Sequence, residues 1–281
     1  EKLPAFAGKR IAILPIYVIC MVAIAFTVYI TFDSFPATLA AEGVSEVLLS
    51  FFPLFAALII EVFGLLLVWQ MWFWRDRLKA KYGATAYQRV FLLGFGGIAW
   101  VLTVAVNQYL PFYSFAPDFW VTSPLQVVAT PLETFFGTAA PLVFLLKETF
   151  AIACLVVGFL VSARALHVFG IDYMVVLYLY FPKESKIQQN EIYSVLRHPT
   201  YAGAILICLG GTFFTFTPLS FAVFAVYLAG FYVHVYLVEE RELIQRFGES
   251  YRGYRRKVPA FFVKPKSLGT LFCFVLGKDN K

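Results

Sequence analysis

Long runs of residues without a single charge are the feature that most restricts what this chain can fold into. Residues 11–32, 199–217 and 219–238 contain no Asp, Glu, Lys or Arg. A helix of about 20 apolar residues crosses the hydrocarbon core of a bilayer. Three further apolar runs, each interrupted by few polar residues, occupy 47–74, 90–112 and 135–163. The pattern predicts about six transmembrane helices.

The composition leaves no other class of fold open. Hydrophobic residues make up 60% of the 281 residues and charged residues 14%, against about 25% charged residues in a soluble domain. A water-soluble surface cannot be built from such a chain. We therefore predict an all-α polytopic integral membrane protein with a C-terminal helical hairpin and cytoplasmic interfacial helices.

The charges between the runs predict the orientation. Segments 33–46 and 113–134 contain acids but no Lys or Arg, whereas the basic residues other than Lys147 lie at the start of the chain, at 75–89, at 164–197 and after 240. Since basic loops stay in the cytoplasm, both termini are expected there. In a prokaryote the membrane would be the cell membrane.

The four cysteines form no CxxC pair, so they indicate neither a disulfide framework nor a zinc site. We expect no metal and no nucleic-acid partner. The cysteines are Cys20, Cys154, Cys208 and Cys273.

Polar and ionisable residues become frequent only after about residue 164, in three clusters at 197–203, 239–242 and 247–261. Pro218 separates two uncharged runs and marks the turn of a helical hairpin. Because its two helices are of similar length, the hairpin should place Arg197 and His198 opposite Glu239 and Glu240. Ionisable residues at a membrane boundary of this kind are usually retained for a function.

The ordered set of motifs resembles the membrane methyltransferases related to isoprenylcysteine carboxyl methyltransferase, and phospholipid N-methyltransferases share much of the pattern. The set consists of Arg197-His198-Pro199-Thr200-Tyr201-Ala202-Gly203, the hairpin, Glu239-Glu240, Phe247-Gly248-x-x-Tyr251-x-x-Tyr254 and Val258-Pro259-x-Phe261. Two further pieces are similar to prokaryotic members, Phe169-Gly170-Ile171-Asp172-Tyr173 and Ile192-Tyr193-Ser194. The resemblance divides the chain into transmembrane helices at 1–163 that anchor it or select substrate, a methyltransferase-like catalytic region at 164–265 and an interfacial tail at 266–281.

The resemblance implies S-adenosylmethionine as cofactor and a lipid, or a prenylated or otherwise lipidated small molecule or protein, as substrate. Arg197 would pair with the cofactor carboxylate, Glu239 or Glu240 would accept hydrogen bonds, and Gly203 would let the cofactor approach the helix backbone. The cofactor-binding residues implied in this way are Tyr193, Arg197, His198, Pro199, Tyr201, Gly203, Glu239, Glu240 and Tyr251. The catalytic residues implied are Arg197, Glu240, Arg256 and Lys257.

One departure bears on the acceptor. Lys257 stands where the isoprenylcysteine enzymes have Arg before Val-Pro, and the two residues are not interchangeable in a bidentate contact. If the acceptor is a carboxylate, Arg256 or Lys257 should orient it; if it is an amine, Glu240, His198 or His234 could take its proton. The sequence does not choose between these acceptors.

Two other functions remain open at this stage. A membrane sterol-type reductase would use NADPH, and the basic run 252–257 could serve its phosphate. A non-enzymatic membrane subunit or transporter is the third possibility, although transporters hold substrate near the midplane. Two ionisable residues lie within apolar runs. His234 fits a histidine that packs against a neighbouring helix, and Glu61 is either paired with another group or functional.

Overall fold

The computed structural model describes residues 12–49, 52–107, 130–170, 180 and 186–277. Several sequence features lie outside these ranges: the basic residues before the first span, Gln108, most of the 113–134 segment, Ile171-Asp172-Tyr173, Lys183 and the last four residues.

The described residues belong to two compact units. The first contains residues 12–49, 52–107, 130 and 180, and the second contains 131–170 and 186–277. The helices of the first unit are α1 (Ile13–Ala41), α2 (Glu46–Leu49), α3 (Phe52–Phe73), α4 (Arg75–Tyr82) and α5 (Ala86–Asn107). Those of the second are α6 (Ala140–Phe169), α7 (Pro199–Thr215), α8 (Pro218–His234), α9 (Glu240–Phe247), α10 (Glu249–Lys257) and α11 (Leu268–Val275).

The expected all-α polytopic membrane architecture is confirmed. Within the described ranges, four helical stretches are long and apolar enough to cross a bilayer, or five if the bent pair α3–α4 is one span. The remaining expected span, α7, is apolar but has only 17 residues, a length of about 25 Å. It begins at Pro199, as expected, but ends at Thr215, because Phe216 adopts the left-handed conformation with which the hairpin turn begins.

The entry into α6 is made of two helical pieces. The long helix begins at Ala140, with Pro141 in its first turn. A 3₁₀ segment at Leu132–Ala139 precedes it, with a kink at Gly137, where φ is 53°. The backbone N–H of Leu132 donates to the Phe216 carbonyl at 2.8 Å, so this segment is fastened to the far end of α7.

The turn between α7 and α8 is specified locally. Phe216 ends α7 in the left-handed conformation, and Thr217 and Ser220 form a reciprocal capping box around Pro218, the first residue of α8. A capping box satisfies backbone donors that the first helical turn leaves free. The predicted hairpin is therefore confirmed.

Glycines allow α6 and α7 to cross closely. A Cβ added at Gly203 would lie 2.6 Å from the carbonyl oxygen of Gly158 and would also collide with the Ser162 hydroxyl. A Cβ at Gly158 would lie 2.7 Å from the carbonyl oxygen of Gly203. Gly203 therefore has a packing role, because α6 fills the space that a side chain would occupy; its role in cofactor approach stays a prediction.

The first unit uses the same device. In it α3 packs on α5, and a Cβ at Gly97 would lie 2.5 Å from the Gly64 carbonyl oxygen. Small residues that let backbones approach closely are typical of helix contacts in membranes. Lipid tails are as apolar as the side chains, so the helices associate through close packing and not through the hydrophobic effect.

Gly203→Ala should lower the thermal unfolding midpoint of the detergent-solubilised protein, because the new methyl group forces α6 and α7 apart at a cost of about 1–3 kcal/mol. Gly230→Ala is the matched control, since a Cβ there meets nothing within 4 Å and alanine favours a helix. Equal midpoints for the two variants would contradict the close crossing.

Candidate functional site

The hairpin brings two of the three polar clusters together, as its geometry predicts. Arg197 and His198 directly precede α7, and His198 is its N-cap. Glu239 and Glu240 follow α8 along the chain. Arg197 contacts Glu240, and His198 contacts both glutamates, so the convergence expected from the sequence is confirmed.

A fully buried carboxylate lies at the centre of this site. Glu240 has no solvent exposure. Its Oε1 lies 2.7 Å from Nη2 of Arg197, and its Oε2 lies 3.0 Å from Nε of Arg255. Arg197 is also buried, and its Nη1 donates to the Arg255 carbonyl at 2.8 Å. Two guanidinium groups thus compensate one buried charge, which could not remain ionised alone.

His198 is held between the two glutamates. Its Nδ1 lies 3.5 Å from Oε1 of Glu239, and its Nε2 lies 3.4 Å from Oε1 of Glu240. Burial alone would lower the pKa of His198, but the charges and hydrogen bonds of Glu239 and Glu240 raise it to about 9. The imidazole is therefore a cation at neutral pH.

A π-helical turn explains how two adjacent glutamates reach the two nitrogens of one imidazole. Val235–Glu239 adopts a π helix between α8 and α9. The extra residue of such a turn rotates everything after it by about 100°. Without this extra residue, the side chain of Glu240 would point away from Arg197. Single π turns occur frequently at functional sites.

The Val-Pro-x-Phe motif supports the same site through its backbone. The N–H groups of Arg197 and His198 donate to the carbonyls of Pro259 and Ala260 at 2.9 and 3.1 Å. The Phe261 ring lies 6.2 Å from the His198 ring. This segment therefore satisfies the backbone N–H groups that precede α7, and it places an aromatic ring beside His198.

Three tyrosines are buried between α10 and the turn before Arg197, and one hydrogen bond among them joins these two segments. The Tyr254 hydroxyl donates to the carbonyl of Tyr193, and the Tyr193 hydroxyl donates to the Ala165 carbonyl at 3.5 Å. Burial raises the pKa of Tyr193, Tyr251 and Tyr254, so all three remain protonated. The 3₁₀ turn that carries Tyr193 is held at its start by an ion pair from Arg164 Nη2 to Glu191 Oε2 at 2.6 Å.

The ring of Tyr201 contacts both histidines near the hairpin end, His198 and His234. The ring of Tyr201 lies 6.0 Å from the rings of both His198 and His234, and 5.8 Å from that of Phe231. His234 therefore packs against a tyrosine, in agreement with its simpler interpretation. Pro199 is buried as the first residue of α7.

Two of the predicted catalytic residues lie away from this centre. The Arg256 side chain is 75% exposed, and its Nη2 is 3.5 Å from Oε2 of Glu249. Lys257 is exposed at the end of α10, where its carbonyl accepts a hydrogen bond from Lys264. Both residues lie on the face of α10 that turns away from Glu240.

Arg255 is the site residue that sequence reasoning missed. A signal for it exists, because Arg255 follows Tyr251 by four residues and therefore lies on the buried side of α10. Its neighbours in sequence are displaced by about 100° around the helix. Helical spacing from the two buried tyrosines would have selected Arg255 over Arg256 and Lys257.

Fold and site together define an integral membrane protein with a buried ionic site at the end of a C-terminal helical hairpin. The family model of phospholipid methyltransferases matches residues 146–250, a range that contains the hairpin and both glutamates. The resemblance of this chain to the superfamily of integral membrane methyltransferases is thereby confirmed.

Characterised relatives point to the same superfamily. A protein-S-isoprenylcysteine O-methyltransferase of Schizosaccharomyces pombe is 28% identical over 118 residues, which cover 42% of this chain and 50% of the relative. The corresponding enzyme B of Arabidopsis thaliana is 25% identical over 113 residues, covering 40% and 57%. A methanethiol S-methyltransferase of Crocosphaera subtropica is 26% identical over 158 residues, covering 53% and 57%. The chain spans about half the length of the curated relatives it matches, and no solved structure matches it.

Arg197→Met should strongly destabilise the fold, by about 3–5 kcal/mol, because it leaves the buried Glu240 with one of its two cations. The double variant Arg197→Met/Glu240→Met should recover much of this loss, since Arg255 is 42% exposed and can turn to water. Thermal unfolding of the single and double variants in detergent measures the coupling. Strictly additive losses would contradict a direct ion pair.

Proposed function

We propose that this protein is an S-adenosylmethionine-dependent methyltransferase that acts on a lipid or lipidated acceptor at the cytoplasmic face of the membrane. The observation that carries the proposal is the Arg197–Glu240–Arg255 network, buried at the end of the hairpin within the region that matches phospholipid methyltransferases. The alternation of basic and acidic loops supports the cytoplasmic orientation.

The donor groups of the site fit the cofactor. Nε of Arg197 and the hydroxyl of Tyr251 are buried and make no hydrogen bond within the described residues. Buried donors of this kind almost always have a partner. A carboxylate and a ribose hydroxyl are suitable partners, so Arg197 and Tyr251 would hold these two parts of S-adenosylmethionine, with Glu239 and His198 beside them.

The cofactor supplies an electrophilic methyl group on a positively charged sulfonium. The rings of Tyr201 and Phe261, which both lie near His198, would favour such a cation through their electron-rich faces. Methyl transfer needs little covalent help from protein. The residues of this chain therefore act by orienting the two reactants and by excluding water.

The charges of the site favour an anionic acceptor. Arg197, Arg255 and His198 contribute three positive charges, against the two of Glu239 and Glu240. Both carboxyl oxygens of Glu240 lie against guanidinium groups, and a protonated His198 cannot accept a proton from an amine. We infer that the acceptor is a carboxylate or a thiolate. The O- and S-methyltransferases among the relatives agree with this choice.

The surroundings of the site suit an acceptor with an apolar chain. Tyr232, Val233, Leu237 and Val238 are exposed large hydrophobic residues on α8 and the π turn, next in sequence to Glu239. Such a surface lies in lipid, so an acceptor could keep its chain in the bilayer while its polar end reaches the network.

S-adenosylhomocysteine should bind the detergent-purified protein at micromolar concentration in calorimetric titration, whereas NADPH should not. Tyr251→Phe should weaken binding about 5- to 10-fold through loss of one hydrogen bond without a change in the unfolding midpoint. Arg197→Lys should weaken it more, because a lysine cannot form a two-pronged contact.

Arg252→Gln is the control for this titration, since Arg252 lies on the same helix as Tyr251 but is 56% exposed and paired with Glu249. Binding of NADPH without binding of S-adenosylhomocysteine would overturn the proposal and favour a reductase. Equal losses in Tyr251→Phe and Arg252→Gln would refute the assigned position.

With methyl-labelled cofactor, label should pass to a prenylcysteine carboxylate or to a long-chain thiol but not to phosphatidylethanolamine. Because the acceptor reacts as an anion, transfer to the thiol should rise with pH until the thiol is ionised or until His198 loses its proton near pH 9. Thin-layer separation of the labelled lipids measures the outcome. Methylated phosphatidylethanolamine as the main product would show that the acceptor is an amine.

A further inference from the structure

A basic surface in the first unit plays no part in the proposed reaction. It consists of α4 and the start of α5, residues 75–89, which carry five cations and a single carboxylate, a net charge of +4. The cations are Arg75, Arg77, Lys79, Lys81 and Arg89. Nε of Arg75 lies 3.0 Å from Asp76 Oδ1, so the one acid is already paired. We call residues 75–89 the basic surface.

The basic surface begins where a membrane span ends. Phe55–Met71 is the apolar stretch before it, and α4 is bent from that stretch by 48°. None of the residues of α4 is buried. Because charged side chains are costly in the hydrocarbon core, we place this exposed and strongly basic helix at the membrane surface.

Aromatic side chains at the junction place the bend at the depth of the lipid headgroups. Trp69 is 55% exposed, Phe73 is 62% exposed and Trp74, which immediately precedes α4, is also exposed. Exposed tryptophans beside a span are typical of the membrane–water interface. The cations that follow them therefore lie within reach of lipid phosphates.

Three of the cations lie over tyrosine rings. Arg89 lies 4.2 Å and Lys81 5.2 Å from the centre of the Tyr82 ring, and Lys79 lies 5.6 Å from that of Tyr180. Contacts of this kind hold the stems of long basic side chains without neutralising their charge. The basic surface thus presents positive charge in a defined place.

We propose that the basic surface binds the headgroups of anionic phospholipids in the surrounding bilayer. A cluster of four to eight Lys or Arg residues next to a membrane span is the arrangement that anionic lipid attracts, and each cation near such a surface contributes about a fivefold preference. The bend at Trp74 and the exposed aromatic residues place the charges at the depth of the headgroups. This position favours a lipid headgroup over a soluble anion as the ligand.

The test uses the full chain in nanodiscs of phosphatidylcholine that contain a brominated lipid, which quenches nearby tryptophans. Brominated phosphatidylglycerol should quench the fluorescence more than brominated phosphatidylcholine at low salt, and high salt should remove the difference. Arg77→Gln/Lys81→Gln should reduce the preference for the anionic lipid at least fivefold, because both side chains are exposed.

Two matched variants make the result specific. Lys264→Gln/Lys266→Gln removes the same charge from another exposed segment and should keep the preference. Arg77→Lys/Lys81→Arg preserves the charge and should keep it as well. Equal quenching by the two lipids in the wild-type protein, or equal loss in both glutamine variants, would overturn the proposal. Loss of the preference on addition of inorganic phosphate, but not of chloride at the same ionic strength, would show that the surface binds a soluble anion instead.

Discussion

The contact between Glu240 and its two arginines is the constraint on which the rest of the second unit depends. A carboxylate without any exposure requires compensation, and Arg197 and Arg255 come from segments that are separated by 58 residues. To bring them together, α7 and α8 must form a tight hairpin and α10 must fold back beneath it. The capping box, the close crossing of α6 and α7 at their glycines, and the tyrosine hydrogen bonds hold these segments together.

Much of this arrangement follows from the pattern of the sequence. Charge-free runs predict the spans, and Pro218 predicts the turn, because local chemistry determines both. The meeting of Arg197 with Glu240 follows from helix lengths alone. A family resemblance adds the tyrosines and the Val-Pro-x-Phe segment, but only the structure shows that Pro259 and Ala260 work through their carbonyls, which no side-chain pattern reveals.

Three features could not be read from the sequence, each for a physical reason. The role of Gly203 depends on which helix crosses α7, and periodicity carries no information about partners. The choice of Arg255 over Arg256 requires the rotational phase of α10, and helical spacing gives that phase only once the structure shows that Tyr251 and Tyr254 are buried. The end of α7 at Thr215 depends on the left-handed conformation of Phe216, whereas hydropathy reports only that Phe216 is apolar.

The π turn at Val235–Glu239 has a consequence for how this region can vary. Deleting one residue there would restore an ordinary α-helix with better backbone geometry, yet it would swing Glu240 away from Arg197. The deletion would improve local helix formation while dismantling the ionic centre. The length of this segment is therefore subject to selection on chemistry and not on folding, and chains that share the site should keep its residue count even where the side chains before Glu239 have changed.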